Sequence, residues 1–253
     1  MRATRYLIVN ADDFGRSAGV NRGICESHKH GIVTSASLMV RWPAAAAAAR
    51  YARAQPNLSV GLHFDLAEWV YHDSEWVAAY QVVPPDDRAA LAGELSRQLA
   101  RFYALMDSEP THLDSHQHVH MDEPLLSVMR DAAQRLSVPL RRCATTVRYC
   151  GDFYGQADDG APFPEGISVE GLSRIISGLP PGVSELSCHP GVGDDLDSVY
   201  RDERATEMRV LCDPRVCAAI ESNRIELISF RELLGGLWQS SSIAKRVYKA
   251  NEN

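Results

Sequence analysis

The 253-residue chain has no apolar run approaching the roughly 20 residues that a bilayer-crossing helix requires, so no membrane span is expected. Positive charge is not in excess. Lys plus Arg number 26 against 33 Asp plus Glu, a formal net charge of −7. A protein whose main task is to hold nucleic acid needs a basic footprint, and that class is excluded. Cysteine is sparse and scattered (Cys25, Cys143, Cys150, Cys188, Cys212 and Cys217), with no Cys-x-x-Cys pair and no dense framework. This fits a reducing compartment better than a disulfide scaffold. The apolar stretch nearest the N-terminus, Tyr6 to Val9, is too short for the core of a signal peptide, so a cytoplasmic location is expected. No shift of composition marks a domain boundary, and a single α/β unit of ~250 residues is an ordinary size.

What is present is an alternation of short β-rich runs and longer helical stretches. Strands are expected at Tyr6–Val9, Ile32–Val40, Leu58–Phe64, Thr111–Ser115, within Leu140–Val147, at Val183–Cys188 and at Ile225–Ser229. Helices are expected from Ser17 to His30 ahead of Gly31, from Pro43 through the alanine run, and over Asp86–Met106, Asp122–Leu136 and Val169–Ser177. Two more are expected on either side of Pro214, and one begins at Arg231 and runs to Trp238. The aromatic-rich segment between Phe64 and Pro84, and residues 149–166 and 190–200, read as loops. Seven βα repeats imply a parallel sheet with helices outside, closed as a barrel or open. Residues 1–240 form this one domain, followed by a polar tail at 241–253.

The chemistry gathers at strand ends. Strand one ends Asn10-Ala-Asp-Asp-Phe-Gly15, strand three ends Gly61-Leu-His63, and strand six ends Cys188-His-Pro-Gly191. Strand four carries His112, Asp114, His116, His118 and His120 at alternate positions, which strand periodicity places on one face. In parallel α/β folds the carboxyl rim is where sites are built. Two carboxylates with several imidazoles are the donor set of a divalent metal. Asp114 reads best as a carboxylate standing behind an imidazole, with His118 and His120 as alternative ligands near the point where the chain leaves strand geometry. Asp12 and Asp13 pose a problem, because adjacent residues of a strand point to opposite faces. Both reach one site only if the backbone bends after Val9 or Asn10, and Gly15 is consistent with a turn.

With these segments, together with Gly31–Val40, Gly61–Leu66 and Thr111–His120, the chain resembles the YdjC-like carbohydrate deacetylases. The resemblance implies a modified (β/α) barrel that removes N-acetyl groups from amino sugars with one divalent metal. By position it makes Asp13, His63 and His116 the metal ligands, Asp12 the catalytic base and His189 the acid for the leaving amine. Gln117 stands where the family often carries His, and Asp65 where it often carries Asn, which puts substrate contacts near His63 in question.

The expected reaction is hydrolysis of an N-acetylated amino sugar, by a water that the cation activates, between an Asp base and a His acid. Zn²⁺ and Mg²⁺ suit such a site, and Mn²⁺ or Co²⁺ are tolerated. Trp69, Tyr71 and Trp76 could stack on sugar faces, and Arg148 could meet a carboxylate or a sugar oxygen. A homodimer is left open. The rival readings are a metal-dependent phosphoesterase, a non-enzymatic sugar-binding relative, and a signalling receiver, for which the chain is too long. The phosphoesterase would need Arg or Lys around the mouth, and these are scarce next to the motifs.

Overall fold

The computed structural model describes residues 4–72, 75–157, 160–193, 195–196 and 200–235. Its centre is β1 (Arg5–Phe14), buried from Tyr6 onward. Around it a parallel sheet runs in the order β6 (Leu113–Ser115), β3 (Ser59–Phe64), β2 (Ser35–Leu38), β1, β8 (Gly182–Cys188) and β7 (Val147–Cys150). β1 is long enough to take two partners on one side. Its first residues pair with β9 (Ile225–Leu227), and Asn10 to Phe14 pair with β2. Near-continuous apolar runs such as Leu7-Ile-Val9 are what a parallel strand covered on both faces requires.

The fifth expected strand divides. Leu140 makes a single parallel bridge to Leu113 in β6, whereas Val147–Cys150 pair with β8. One segment therefore spans the two edges of the curled sheet, with turns at 141–146 instead of a continuous strand. The result is a modified barrel whose seam is only partly hydrogen-bonded.

Helices α1 (Ala18–His30), α2 (Ala45–Arg53), α3 (Arg88–Met106), α4 (Leu125–Leu136), α5 (Val169–Gly178), α6 (Arg201–Leu211) and α7 (Pro214–Ser222) follow the strands, and α8 (Phe230–Leu234) closes the described chain. Ser17 caps α1 by accepting from the Val20 amide, as its position before the helix leads one to expect. α2 starts two residues later than Pro43. The continuation of α8 to Trp238 and the tail at 241–253 lie outside the described residues.

The segment expected to be a loop after β3 is instead an antiparallel hairpin, β4 (Ala67–His72) and β5 (Glu75–Gln81). Among the described residues no helix is long and apolar enough to cross a membrane.

Candidate functional site

The two aspartates at the end of β1 reach the same place because the backbone turns at Asp13 itself. Asp13 has φ 66°, in the left-handed region that Asp tolerates better than most residues, and the register against β2 shifts between Ala11 and Phe14. The bend therefore lies later than Val9 or Asn10. Gly15 follows with φ 95°, and a Cβ there would stand 2.9 Å from the Met39 carbonyl oxygen, so glycine is required twice over.

β3 and β6 bring the second and third groups. His63 and Asp114 are register partners, and His63 Nδ1 lies 2.8 Å from Asp114 Oδ1. That contact points His63 Nε2 at Asp13 Oδ1, 3.5 Å away, while His116 Nδ1 stands 2.9 Å from the same oxygen. Asp13 Oδ1 and His63 Nε2 are both buried and neither has a hydrogen-bond partner. Buried polar atoms left without partners cost free energy, and a shared cation, displacing any proton on His63 Nε2, is the simplest way to satisfy both. Asp13, His63 and His116 can each place one ligand atom within 4.8 Å of the others, as can Asp12, His63 and Asp114. The donor set fits a divalent ion.

The charged groups at the site are closely coupled. Burial alone would lower the His63 pKa, but the Asp114 carboxylate outweighs it and pushes the ring up to about 10. Burial works against ionised Asp13 too, yet Arg204 and His116 hold its carboxyl well below the usual range. Asp12 is likewise lowered despite its burial, chiefly by Arg141, whose Nη1 donates to Oδ1 at 2.7 Å. Asn10 Nδ2 donates to that oxygen at 2.7 Å, and the Ser187 hydroxyl donates to Oδ2 at 3.2 Å.

The alternation from 112 to 120 does not persist as a strand. β6 stops at Ser115, and residues 116–121 form a 3₁₀ turn in which Gln117 and His118 have φ of 51° and 54°. His112 is buried and does not line the cavity, its Nε2 3.0 Å from Ser37 Oγ and its ring 4.1 Å from Phe230. His120 has both nitrogens engaged, by Ser115 Oγ at 2.7 Å and the Arg141 carbonyl at 3.1 Å. His118 faces the cavity, with Nε2 2.9 Å from the Tyr149 hydroxyl. Of the five, His116 joins Asp13 and Asp114 supports His63.

His189 enters from the end of β8. Its Nε2 is 3.8 Å from Asp12 Oδ2 and its Nδ1 is 3.9 Å from Glu207 Oε1. Burial lowers its pKa to about 4, so the ring is neutral at rest. Glu207, wholly buried, accepts from the His189 amide at 2.5 Å and from the Tyr200 hydroxyl at 2.6 Å, and burial raises its carboxyl to about 8. Tyr154 and Tyr200 stack at 4.4 Å and flank the His189 ring.

Scarcity of arginine near the motifs is corrected by the fold. Arg16, Arg141 and Arg204, distant from one another in sequence, are buried at the site. All three are already matched with acids: Arg16 with Glu68, Arg204 with Asp13, and Arg141 with Asp12, Asp114 and Glu185. Arg141 sits on the seam, where no motif marks it. Glu185 and Ser187 do leave a trace, as polar residues at alternate positions of a strand expected to be covered on both sides.

The hairpin supplies one wall of a cavity of about 270 Å³ over these groups. Trp69 lines it, and the Gln117 side chain pins the hairpin by accepting from the Trp69 amide and donating to its carbonyl, both at 2.8 Å. Tyr71 and Trp76 are cross-strand partners whose side chains lie outside the described residues. Arg148 is exposed and outside the lining, where its neighbour Tyr149 faces in. Asp65 does not reach the cavity. It is buried and accepts from Arg41, Trp42 and Tyr80.

A family profile described as YdjC-like protein matches residues 6–222. A carbohydrate deacetylase of Geobacillus stearothermophilus is 37% identical over 248 residues, covering 90% of this chain and 98% of its own. A chitooligosaccharide deacetylase of Serratia marcescens is 35% identical over 264 residues, covering 90% and 99%. A crystal structure from Enterococcus faecalis V583 matches with a TM-score of 0.73 at 26% identity, covering 91% of this chain and 99% of that one. A family 4 carbohydrate esterase from Streptomyces lividans, at TM-score 0.50 and 14% identity, covering 90% and 92%, shares the fold.

Proposed function

Because the chain belongs to the YdjC-like family, we propose that it hydrolyses the N-acetyl group of an amino sugar, with a divalent cation held by Asp13, His63 and His116. The observation that carries this reading is the pair of buried, unsatisfied atoms, Asp13 Oδ1 and His63 Nε2, which face each other at 3.5 Å beside His116. The cation is Zn²⁺ or Mg²⁺, with Mn²⁺ or Co²⁺ as substitutes. When bound, it supplies Lewis acidity, which lowers the pKa of water and polarises a carbonyl oxygen.

The remaining work falls to side chains. Arg141 and Asn10 hold Asp12 ionised and oriented, so that Asp12 takes the proton of the attacking water. His189 is neutral at rest and 3.8 Å from Asp12 Oδ2. It receives a proton as the reaction proceeds and delivers it to the departing amine, leaving acetate and a free amino sugar. Asp114 fixes the His63 ring by its Nδ1 and leaves Nε2 for the ion. The Trp69 indole and the Tyr154 ring offer surfaces for a sugar.

The phosphoesterase alternative gains three arginines from the fold, but each is already balanced by a carboxylate, which leaves little unspent charge for a phosphate. Acetate release from N-acetylglucosamine saccharides and phosphate release from a generic phosphomonoester separate the two readings. Asp12→Asn should keep its metal by elemental analysis and lose turnover by about 10²–10⁴-fold. Phosphate release without acetate release would reject the deacetylase.

A further inference from the structure

The two histidines offered to the cation are held in different ways. A ligating imidazole ordinarily donates its other N–H to a carboxylate, a carbonyl or water, which fixes the ring and strengthens it as a ligand. His63 follows that pattern, with Nδ1 2.8 Å from Asp114 Oδ1 and Nε2 turned towards Asp13. His116 does not. Its Nδ1 stands 2.9 Å from Asp13 Oδ1, while its Nε2 lies 3.2 Å from Arg16 Nη1.

A guanidinium has only donors, so His116 Nε2 bonds to Arg16 through its own lone pair. The neutral ring then carries its proton on Nδ1, the nitrogen nearer Asp13. Ligation through Nδ1 needs that nitrogen's lone pair and leaves the ring proton on Nε2, where it would face the N–H of Arg16. Were Nε2 the ligand atom instead, Arg16 would stand in the ion's place. By either nitrogen, the Arg16 contact and a cation on His116 exclude each other.

Arg16 is well held, and it has somewhere to go. It is 4% exposed, pairs with Glu68 through Nη2, and lies 5.5 Å from the centre of the Trp42 ring, yet its Nε–H has no partner. A cavity of about 640 Å³ lies beside the catalytic one, and the two share Arg16 and Glu68. Trp42, Tyr80 and Asp195 line this second cavity. The Asp195 carboxylate accepts from the Ser17 hydroxyl at 3.1 Å and the Gly19 amide at 2.7 Å, so it is fixed in place as a counter-charge for an incoming guanidinium.

We infer that Arg16 is a latch on the metal site, holding His116 by Nε2 and displaced into the Trp42–Asp195 cavity when the cation is loaded, so that Arg16 sets how tightly the protein keeps its ion. This rests on the reading of Asp13, His63 and His116 as the ligand set. Arg16 acts through His116 and is a positioning residue.

The test is Zn²⁺ affinity, measured by competition with a chromophoric chelator, for wild type, Arg16→Met and the double variant Arg16→Met/Glu68→Gln. The single variant removes the latch together with a positive charge and strands Glu68. The double variant removes the latch with no change of net charge and leaves neither member of the ion pair behind, so a gain there is owed to the lost contact. Both should bind Zn²⁺ about tenfold more tightly than wild type, about 1.4 kcal/mol. Crystals of the wild type grown with Zn²⁺ should show Arg16 out of hydrogen-bond reach of His116 and inside the second cavity. Unchanged or weaker Zn²⁺ affinity in the double variant, or Arg16 still on His116 Nε2 in the loaded crystals, overturns the latch and leaves the ligand set standing. Failure of wild type and both variants to bind Zn²⁺ rejects the ligand set, and the latch with it.

Discussion

Asp12 and Asp13 are consecutive residues given different tasks by one backbone torsion. With φ at 66°, Asp13 turns its carboxylate towards His63 and His116, while Asp12 stays among Asn10, Arg141 and Ser187. The sequence shows that two carboxylates end a strand, and it shows that they cannot both reach one site without a bend. It does not show where the bend falls, because a left-handed Asp looks like any other Asp. Glu207 was not legible at all, since its place on a helix gives no hint that Tyr200 and the His189 amide converge on it. Burial raises this carboxyl from 4.5 to about 8, so the folded protein binds a proton there that the unfolded chain releases. The stabilisation is complete below about pH 4.5 and is lost as the pH rises towards 8. Glu207→Gln should therefore flatten the fall in melting temperature between these two pH values. An unchanged slope in thermal melts would remove Glu207 as its source.

At the level of elements, the hairpin and the turn after β6 are the parts that sequence pattern did not reveal. Trp69, Tyr71, Trp76 and Tyr80 come with no Asn-Gly or Asp-Gly pair to announce a tight turn, and the segment reads as a loop. The alternation from His112 to His120 imitates a strand, although Gln117 and His118 break it with left-handed torsions that neither residue type advertises. The two features depend on each other, since Gln117 clamps Trp69 from within that turn. Gln117→Ala should loosen the hairpin at a cost of about 0.5–1.5 kcal/mol, the net worth of a hydrogen bond that water can replace. Amide exchange in β4 and β5 should quicken and kcat/KM should fall several-fold, with metal content preserved. Exchange rates equal to wild type would show that Arg16 and Asp65 hold the hairpin without it.

The whole molecule is a curled parallel sheet whose seam is closed more by charge than by backbone pairing. The βα alternation and the convergence of strand ends were readable, because buried parallel strands and capped helices leave periodic traces. The seam was not, because Leu140 and Val147 belong to opposite edges of the sheet and only look like one strand. Arg141, between them, ties Asp12 of β1, Asp114 of β6 and Glu185 of β8 together in the interior. Arg141→Met leaves those carboxylates buried without their cation. Losses of this kind run to about 3–5 kcal/mol, which chemical denaturation would read directly. A variant as stable as wild type would mean that the seam closes without this cluster.

The account's central claim is that Asp13, His63 and His116 meet on one cation. Crystals grown with Zn²⁺ and measured on both sides of its absorption edge test it. The expected result is a single anomalous peak touching Asp13 Oδ1, His63 Nε2 and the His116 ring, and its disappearance in His116→Ala. A map with no peak there, or a peak that survives that substitution unchanged, would contradict it.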